Sequence, residues 1–272
     1  MLHWQIYVEG IGLWAPRLPG WAAGRAILRG EAAPPELAAP RPTPALLPQN
    51  ERRRAPDTVA VALEVAASAC HAAGCAPATL PSVFASAYGD LGVSHAMCEQ
   101  LARAPLDTSP TKFHHSVHNA AAGYWAIATG CLEPYTALTA LRHTFGVGLL
   151  SAAVQVLERA RVLYVAYDIE APGPLATMAQ SRGMLGAALV LAPEQTLRSC
   201  SRLALRIEEV PEAAPAPSAT PARAQNASLV AGNAVADGLV LLEALADETA
   251  RRLTLPLAER LRLEVEVLPL RA

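Results

Sequence analysis

The sequence predicts an α/β layered fold with a largely parallel sheet. Short apolar runs typical of buried strands occur at residues 82–87, 162–166 and 186–192. Helical segments lie between them, and the longest runs from Asp57, a predicted N-cap, to about Ala73, where Gly74 ends it. Strands that alternate with helices are joined by crossover connections, which favour parallel pairing.

The N-terminal part combines a predicted strand at residues 5–14, a short helix within 20–31 and a proline-rich surface connection at 32–48. Arg52, Arg53 and Arg54 follow. They form either a solvated basic turn or an anchor for an acidic partner or a phosphate. Three charges alone favour the solvated turn.

Residues 109–127 form the most distinctive stretch. An extended segment begins at Ser109 and Pro110, and three histidines follow at positions 114, 115 and 118. Asn119 is a predicted helix N-cap, since its side-chain oxygen can accept from a free N–H of the first turn. The next four residues, Ala-Ala-Ala-Gly, are small enough for another backbone to approach closely.

The three histidines raise the question of a metal site. His114 and His115 are adjacent and therefore point apart, and no Asp, Glu or Cys lies within the run. A packed or interfacial role is favoured over metal binding. The sequence predicts neither a metal nor a cofactor.

The second half begins with a predicted strand at residues 135–141, which turns at Arg142 into a helix from Val147 to about Arg159. The composition changes after residue 192, so we predict a main domain at 1–192 and a small C-terminal β/α accessory layer at 193–272.

That accessory part contains a predicted strand at 203–210, a Pro/Ala/Ser linker at about 211–223 and a strand at 261–267. Asn233 is predicted to cap a helix that extends to about Ala246.

The composition disfavours two classes of function, nucleic-acid binding and membrane insertion. The net charge of −2 and an aromatic content of 5% disfavour nucleic-acid binding. No apolar run reaches the roughly 18 residues of a membrane span, so no membrane insertion is expected. No signal peptide is recognisable, which predicts a cytoplasmic location. The five cysteines, at 70, 75, 98, 131 and 200, are therefore expected to be buried thiols and not zinc ligands.

The distribution of catalytic side chains is restrictive. All seven histidines lie at or before position 143, and Lys112 is the only lysine. No phosphate-binding loop and no Gly-x-Ser-x-Gly elbow occurs. A mechanism that places a nucleophile on the turn at Arg142 and takes acid–base groups from later in the chain is excluded.

Several segments together resemble a known family. They are Leu47-Pro48 with Arg52 to Arg54, Ala85 to Gly89, Ser109 to Phe113, Ser116 to Gly123, and Gly148-Leu149-Leu150. In this order they are similar to the N-terminal half of a β-ketoacyl synthase. More narrowly, they resemble the chain-length factors of aryl-polyene (xanthomonadin-type) pathways. The resemblance covers about residues 5–192.

The resemblance implies a thiolase-like half-fold and places Arg142 at the position of the family's cysteine nucleophile. Arginine stays protonated and cannot act as a base. The later histidine and lysine of the family are missing as well. We therefore expect a non-catalytic subunit that pairs with a full-length β-ketoacyl synthase, completes its acyl tunnel and sets product length. An acyl carrier protein would be reached through that complex.

In the family, the strand before the nucleophile pairs with its counterpart across the dimer. Carried onto this chain, the implied partner-facing residues are Lys112, Phe113, His114, Ser116, His118, Asn119, Tyr135, Thr136, Leu138 and Ala140. A candidate tunnel end consists of Tyr88, Leu91, His95 and Cys98. Core packing is the competing interpretation for Phe113 and Leu91.

Two other functions stay open at this stage. One is a stand-alone acyltransferase or hydrolase that uses Ser116 with His114 or His118. The other is a purely structural subunit that stabilises the synthase without shaping its product.

Overall fold

A single eight-stranded sheet organises the protein in the computed structural model, which describes residues 3–107, 109–158 and 161–270. The strands are β1 His3–Trp14, β2 Ser82–Ala85, β3 Tyr135–Leu138, β4 Val162–Ile169, β5 Met184–Ala192, β6 Ser201–Glu209, β7 Arg251–Ala258 and β8 Leu261–Pro269. Their order across the sheet is β3-β2-β4-β5-β1-β6-β8-β7. Strand β3 is therefore outermost at one side and β7 at the other.

The helices are α1 Trp21–Leu28, α2 Gln49–Arg54, α3 Asp57–Ala73, α4 Leu91–Arg103, α5 Pro110–Ser116, α6 Ala120–Thr129, α7 Thr144–Glu158, α8 Ala224–Ala227 and α9 Leu239–Asp247. Short 3₁₀ turns join some of them. The end of α7 predicted at Arg159 lies outside the described residues.

The predicted majority of parallel strands is wrong. Within the described residues, β2 pairs in parallel with β3 and β4, whereas the other five pairings are antiparallel. Parallel pairing needs a crossover, which the helices α4 to α7 provide between β2, β3 and β4. The connection from β4 to β5 contains only a 3₁₀ turn, Gly173–Thr177, and the chain reverses direction there.

Both faces of the central strands β4, β5 and β1 are covered, which gives three layers there. Along β4, Val162, Tyr164 and Ala166 pack into the core under α7 and α9. Leu163, Val165 and Tyr167 pack into the core under α3 and α6. This alternation is the period of a strand, and burial on both faces explains why its sequence is apolar throughout.

Close packing of α3 on β1 depends on two strand glycines. A Cβ atom on Gly10 would lie 2.1 Å from the Ala69 carbonyl oxygen, and one on Gly12 would lie 2.0 Å from that of Val65. Only glycine permits this approach of helix to sheet.

The predicted helix caps are corrected by the structure. Asp57 is the first helical residue after Pro56 and makes no capping bond. Asn119 does occupy an N-cap position, but its side chain donates to the Tyr135 hydroxyl at 3.2 Å instead. Asn233 lies well before α9, and its amide donates to the carbonyl oxygens of Asp168 and Arg182. Asn119 and Asn233 therefore bond to other parts of the chain, and Asp57 lies one residue past the cap position.

Two further expectations change. The segment after Ser109 is helical and not extended, because Pro110 occupies the favoured first helical position of α5 and the Ser109 hydroxyl accepts from Lys112 N at 3.4 Å. Of the five cysteines, Cys98 and Cys200 are exposed and Cys75 is half-buried, so the predicted burial is confirmed only for Cys70 and Cys131.

The C-terminal strands continue the main sheet, since β6 pairs with β1 and carries β8 and β7 outward. Residues 211–223 contain no helix or strand, although Thr220 exchanges two hydrogen bonds with Thr254, at 2.9 and 2.8 Å. A domain boundary near residue 192 stays a prediction.

Candidate functional site

The turn that follows β3 is the centre of the candidate site. The chain passes through Thr139 and Ala140 into a 3₁₀ turn, Leu141–His143, and enters α7 at Thr144. The Thr144 hydroxyl donates to the Leu141 carbonyl at 2.6 Å and accepts from Ala140 N at 3.0 Å. The Thr139 hydroxyl donates to the Ala87 carbonyl at 2.8 Å, which ties the turn to the loop after β2.

Leu141 is the strained residue of this turn, with φ of 50°. A leucine in the left-handed region is uncommon and is held there only by its surroundings. Its side chain is 58% exposed, and the exposed Arg142 follows. Neither side chain offers a nucleophile. The hydroxyls of Thr139 and Thr144 both donate to backbone carbonyls, and Thr144 is buried.

His143 is engaged by its neighbour. Arg142 Nε donates to His143 Nε2 at 3.2 Å, which places the ring proton on Nδ1. Burial and then the Arg142 charge lower the pKa of His143, so the ring is neutral. His143 Nδ1 is buried and has no hydrogen-bond partner within the described part of the chain.

A cavity of about 720 Å³ opens beside this turn. Its walls come from Tyr88, Arg142 and His143, together with segments near residues 176–182, 216–219, 232–237 and 256–259. Among the residues predicted for the site, Tyr88 and Arg142 both line this cavity. Leu91, His95 and Cys98 do not line it, and Cys98 faces solvent.

Sequence reasoning missed most of the cavity wall. Gln180, Asn233 and Asp237 line it, and burial raises the pKa of Asp237. These side chains come from separate loops without a shared motif, so no spacing in the sequence indicated them. Asn233 was noticed only as a candidate cap.

The loop at residues 86–89 carries Tyr88 into the cavity and is held by a buried carboxylate. Asp168, at the end of β4, accepts from Ala87 N at 2.7 Å and from the Ser86 hydroxyl at 3.2 Å. Burial raises the pKa of Asp168, although these hydrogen bonds oppose that rise. From the other side, His118 Nε2 donates to the Ser86 carbonyl at 2.9 Å.

The three histidines of the central stretch have separate partners. His115 is buried and its Nε2 lies 2.7 Å from the Tyr124 hydroxyl, while His114 is exposed with its ring centre 6.2 Å from that of Tyr124. His118 is bound to the loop after β2. The structure thus gives each histidine a different packing role.

Strand β3 presents an open side to solvent. Pro134 and Leu138 direct their carbonyl oxygens to β2, where they accept from Ser82 N at 3.1 Å and Ser86 N at 3.2 Å. Because backbone groups alternate along a parallel strand, Tyr135 and Ala137 direct theirs away from the sheet. No charged residue occurs from 134 to 141.

Exposed apolar side chains occur on β3, on the loop before it, on the turn after it, and on or beside α5, α6 and α7. We call them, together with β3, the edge surface: Phe113, Val117, Ile127, Leu132, Tyr135, Leu141, Val154 and Leu157. Hydrogen bonds connect the parts, since Asn119 donates to Tyr135 and Gln155 donates to Thr136 at 3.2 Å.

The other predicted partner-facing residues occupy the same region. Lys112 is exposed and Phe113 is 61% exposed on α5, whereas Thr136, Leu138 and Ala140 are half-buried. The Ser116 hydroxyl donates to the Phe113 carbonyl at 2.8 Å. No helix in the described ranges combines the length and apolarity needed to cross a bilayer.

Comparison with known proteins agrees with this architecture. The sequence profile described as "Beta-ketoacyl synthase, N-terminal domain" matches residues 21–253. No curated protein sequence matches the chain.

Among solved structures, a ketosynthase in complex with its chain length factor from Xenorhabdus doucetiae is similar, with a TM-score of 0.71 and 17% identity over 96% of this chain and 99% of that one. The ishigamide ketosynthase/chain length factor gives a TM-score of 0.71 and 13% identity over 98% and 100%. A β-ketoacyl synthase from Burkholderia phymatum gives 0.60 and 12% over 75% and 64%. The protein therefore has the thiolase-like ketosynthase fold.

Proposed function

The chain belongs to the β-ketoacyl synthase N-terminal domain family, and we propose that it is a chain-length factor of that family. In this proposal it is a non-catalytic subunit that pairs with an active, full-length β-ketoacyl synthase, completes the acyl tunnel of that enzyme and sets product length. The pathway would be of the aryl-polyene or polyketide type, with acyl chains carried on an acyl carrier protein.

The observation that carries the proposal is the open side of β3. Natural edge strands are usually protected by charges, prolines or a covering element, because a bare edge recruits other strands. Residues 135–141 carry no charge, and apolar side chains on α5, α6 and α7 flank the strand. A partner of the same fold can extend the sheet there and cover this surface, which favours an obligate-type interface of roughly 2,000 Å² or more.

The chemistry of the turn supports the non-catalytic part. Condensation by a ketosynthase requires a nucleophile after this strand, and the turn offers Leu141 and Arg142 there. An arginine stays protonated and a leucine has no reactive group. The strain at Leu141 keeps the elbow shape that such a nucleophile would need, without the nucleophile.

The solved structures add a precedent for the partner. Two of the similar structures contain a ketosynthase and its chain length factor, and a third contains a type II acyl-carrier protein with its ketosynthase. A partner synthase would supply the nucleophile and acid–base groups. In the same proposal, Arg53 and Arg54, both exposed on α2, are the candidate contacts for the acidic carrier protein.

Co-expression with the partner synthase tests the proposal. We expect the two chains to co-purify and to condense carrier-bound substrates, whereas the isolated chain shows no thioester turnover. The proposal fails if the chain is soluble alone, does not bind the synthase and turns over acyl thioesters by itself.

The stand-alone enzyme is the second candidate, and it would depend on Ser116. In the structure, the Ser116 hydroxyl donates to Phe113 and His118 Nε2 donates to Ser86, so each group is committed to another partner. We therefore expect the isolated chain to show no thioester turnover that depends on Ser116. Turnover by the isolated wild-type chain that is lost in Ser116→Ala would favour the second candidate.

A further inference from the structure

The C-terminus of α3 brings two cysteines together. Gly74 has φ of 58°, Gly74 N donates to the His71 carbonyl at 3.0 Å and Cys75 N donates to the Cys70 carbonyl at 3.1 Å. This pair of bonds is a Schellman motif, which places the side chains of its first and last residues in contact. When protonated, the Cys75 thiol donates to the Cys70 carbonyl oxygen at 3.6 Å, and as a thiolate it accepts from the Cys70 thiol.

A fixed cation lies beside the pair. Arg161 donates to the buried carboxylate of Glu9 through Nε at 2.5 Å and Nη2 at 3.2 Å. Glu9 also accepts from the Thr196 hydroxyl at 2.6 Å, so the guanidinium cannot move freely. Arg198 packs over the same turn, because a Cβ atom on Gly74 would lie 2.0 Å from Arg198 Nη1.

Cys75 is reachable from solvent and Cys70 is not. Cys75 lines a cavity of about 460 Å³ together with Thr79, Glu133, Glu158 and Arg161, among others. Cys70 is 1% exposed. The cavity lies where β2 and β4 begin, at the end of those parallel strands opposite to the turn at Arg142.

The electrostatics distinguish the two sulfurs. The hydrogen bond from Cys70, followed by the charge of Arg161, lowers the pKa of Cys75 to about 7, although burial opposes this. The same hydrogen bond, reinforced by burial, raises the pKa of Cys70. Near neutral pH the reactive thiolate therefore forms on the half-buried Cys75 and not on Cys70.

We propose that Cys75 is a reactive thiol that is modified by small disulfides, and that Cys70 is its resolving thiol. The Cys75 thiolate attacks one sulfur of the small disulfide, forms a mixed disulfide and releases a small thiolate. Cys70 then loses its proton and attacks the Cys75 sulfur, releasing a second small thiolate. The protein dithiol is oxidised to a Cys70–Cys75 disulfide, and the small disulfide is reduced to two thiols.

Peptide mapping of the wild-type protein after treatment with oxidised glutathione tests the proposal. We expect a Cys70–Cys75 cross-link and a protein mass lower by two hydrogen atoms. The Cys70→Ser variant should instead retain one glutathione on Cys75, and Cys75→Ser should take up none at this site. Cys70→Ala repeats the trapping experiment if the serine variant does not fold.

The exposed Cys98 on α4 supplies the internal control. With iodoacetamide at neutral pH, Cys75 should alkylate about threefold faster than Cys98, because the lowered pKa of Cys75 raises the fraction of Cys75 present as the reactive thiolate. The Cys98→Ser variant should form the cross-link as the wild type does. Equal alkylation rates, or glutathione that accumulates on the wild type without a cross-link, would overturn the proposal.

Discussion

Among single residues, Leu141 and its neighbours show how the turn after β3 is held in shape. Leu141 adopts a left-handed conformation that its side chain does not favour, and Thr144 and Thr139 hold the turn through hydrogen bonds on both sides. The resemblance places the family's nucleophile at position 142, where this chain has Arg142. The turn therefore combines a strained backbone at Leu141 with an arginine, which stays protonated, at the next position.

His115 gives a prediction that depends on pH. Burial, and secondarily the charge of His114, lowers its pKa below the ordinary 6.5, while Asp90 opposes this weakly. The unfolded chain therefore binds a proton before the folded chain does. The stability from the neutral ring is present above pH 6.5 and is lost as the pH falls through the lowered folded pKa.

The measurement is the melting temperature of wild type and His115→Gln from about pH 7.5 to about pH 5.5. The glutamine variant should be less stable at the higher pH because ring packing with Tyr124 is lost. The gap should narrow as the pH falls, since glutamine does not titrate. A constant gap across this range would contradict a buried neutral His115.

At the scale of elements, two glycines in neighbouring helices should respond oppositely to alanine. On α7, a Cβ atom at Gly148 would lie 2.8 Å from Ala85 Cβ and 2.8 Å from Tyr164 Cε2. On α6, a Cβ atom at Gly123 would meet nothing within 4 Å. Gly148→Ala should destabilise the fold by about 1–3 kcal/mol. Gly123→Ala should stabilise it by about 0.5–1 kcal/mol because helix propensity improves.

Urea unfolding of both variants checks these signs. Of the small residues at 120–123, which were predicted to permit close approach, Ala120, Ala121 and Ala122 are buried within this chain, and only Gly123 has open space beside it. Gly123 is therefore the position that tests the proposed interface. A larger substitution, Gly123→Leu, should leave the isolated chain folded and weaken the complex. Equal destabilisation by both alanine variants would contradict the packing described here.

The open side of β3 can be tested by removing one backbone donor. Ala137 directs its N–H away from β2, so Ala137→Pro deletes a donor on the open side and keeps the bonds to β2. We expect roughly tenfold weaker binding of the partner synthase, measured by co-purification and titration.

Arg252→Pro on β7 is the matched control. Arg252 lies on β7, the other outermost strand. Thr254, two residues further along, donates its N–H to the Thr220 hydroxyl and not to β8, so the backbone N–H of Arg252 also points away from β8. Partner binding should be unchanged in this variant. Equal weakening by both prolines, or none by Ala137→Pro, would contradict an interface at β3.

At the scale of the whole molecule, local patterns were predictable and long-range ones were not. Helix α3 matches its predicted span because apolar residues and Gly74 define it locally. The antiparallel majority was missed because pairing depends on which connections contain a crossover helix. The cavity was missed because Tyr88, Gln180, Asn233 and Asp237 come from distant segments. Of the edge surface, the resemblance had indicated only Phe113, Tyr135 and the strand itself, since exposure along β3 follows from its place in the sheet order.

In the proposed complex, Phe113 and Leu91 are the residues expected to limit product length. Phe113 is 61% exposed on α5 and Leu91 is half-buried at the start of α4, so truncation at Phe113 should cost the fold little. Leu37→Ala, at a leucine 89% exposed in the proline-rich connection, is the control.

The most direct measurement is mass spectrometry of the products made by the synthase complex with Phe113→Ala or Leu91→Ala. We expect products longer by at least one extension unit in one or both variants, with wild-type length for Leu37→Ala. Unchanged length in both variants, with only the yield altered, would rule out a role in setting product length and would make the chain a purely structural subunit.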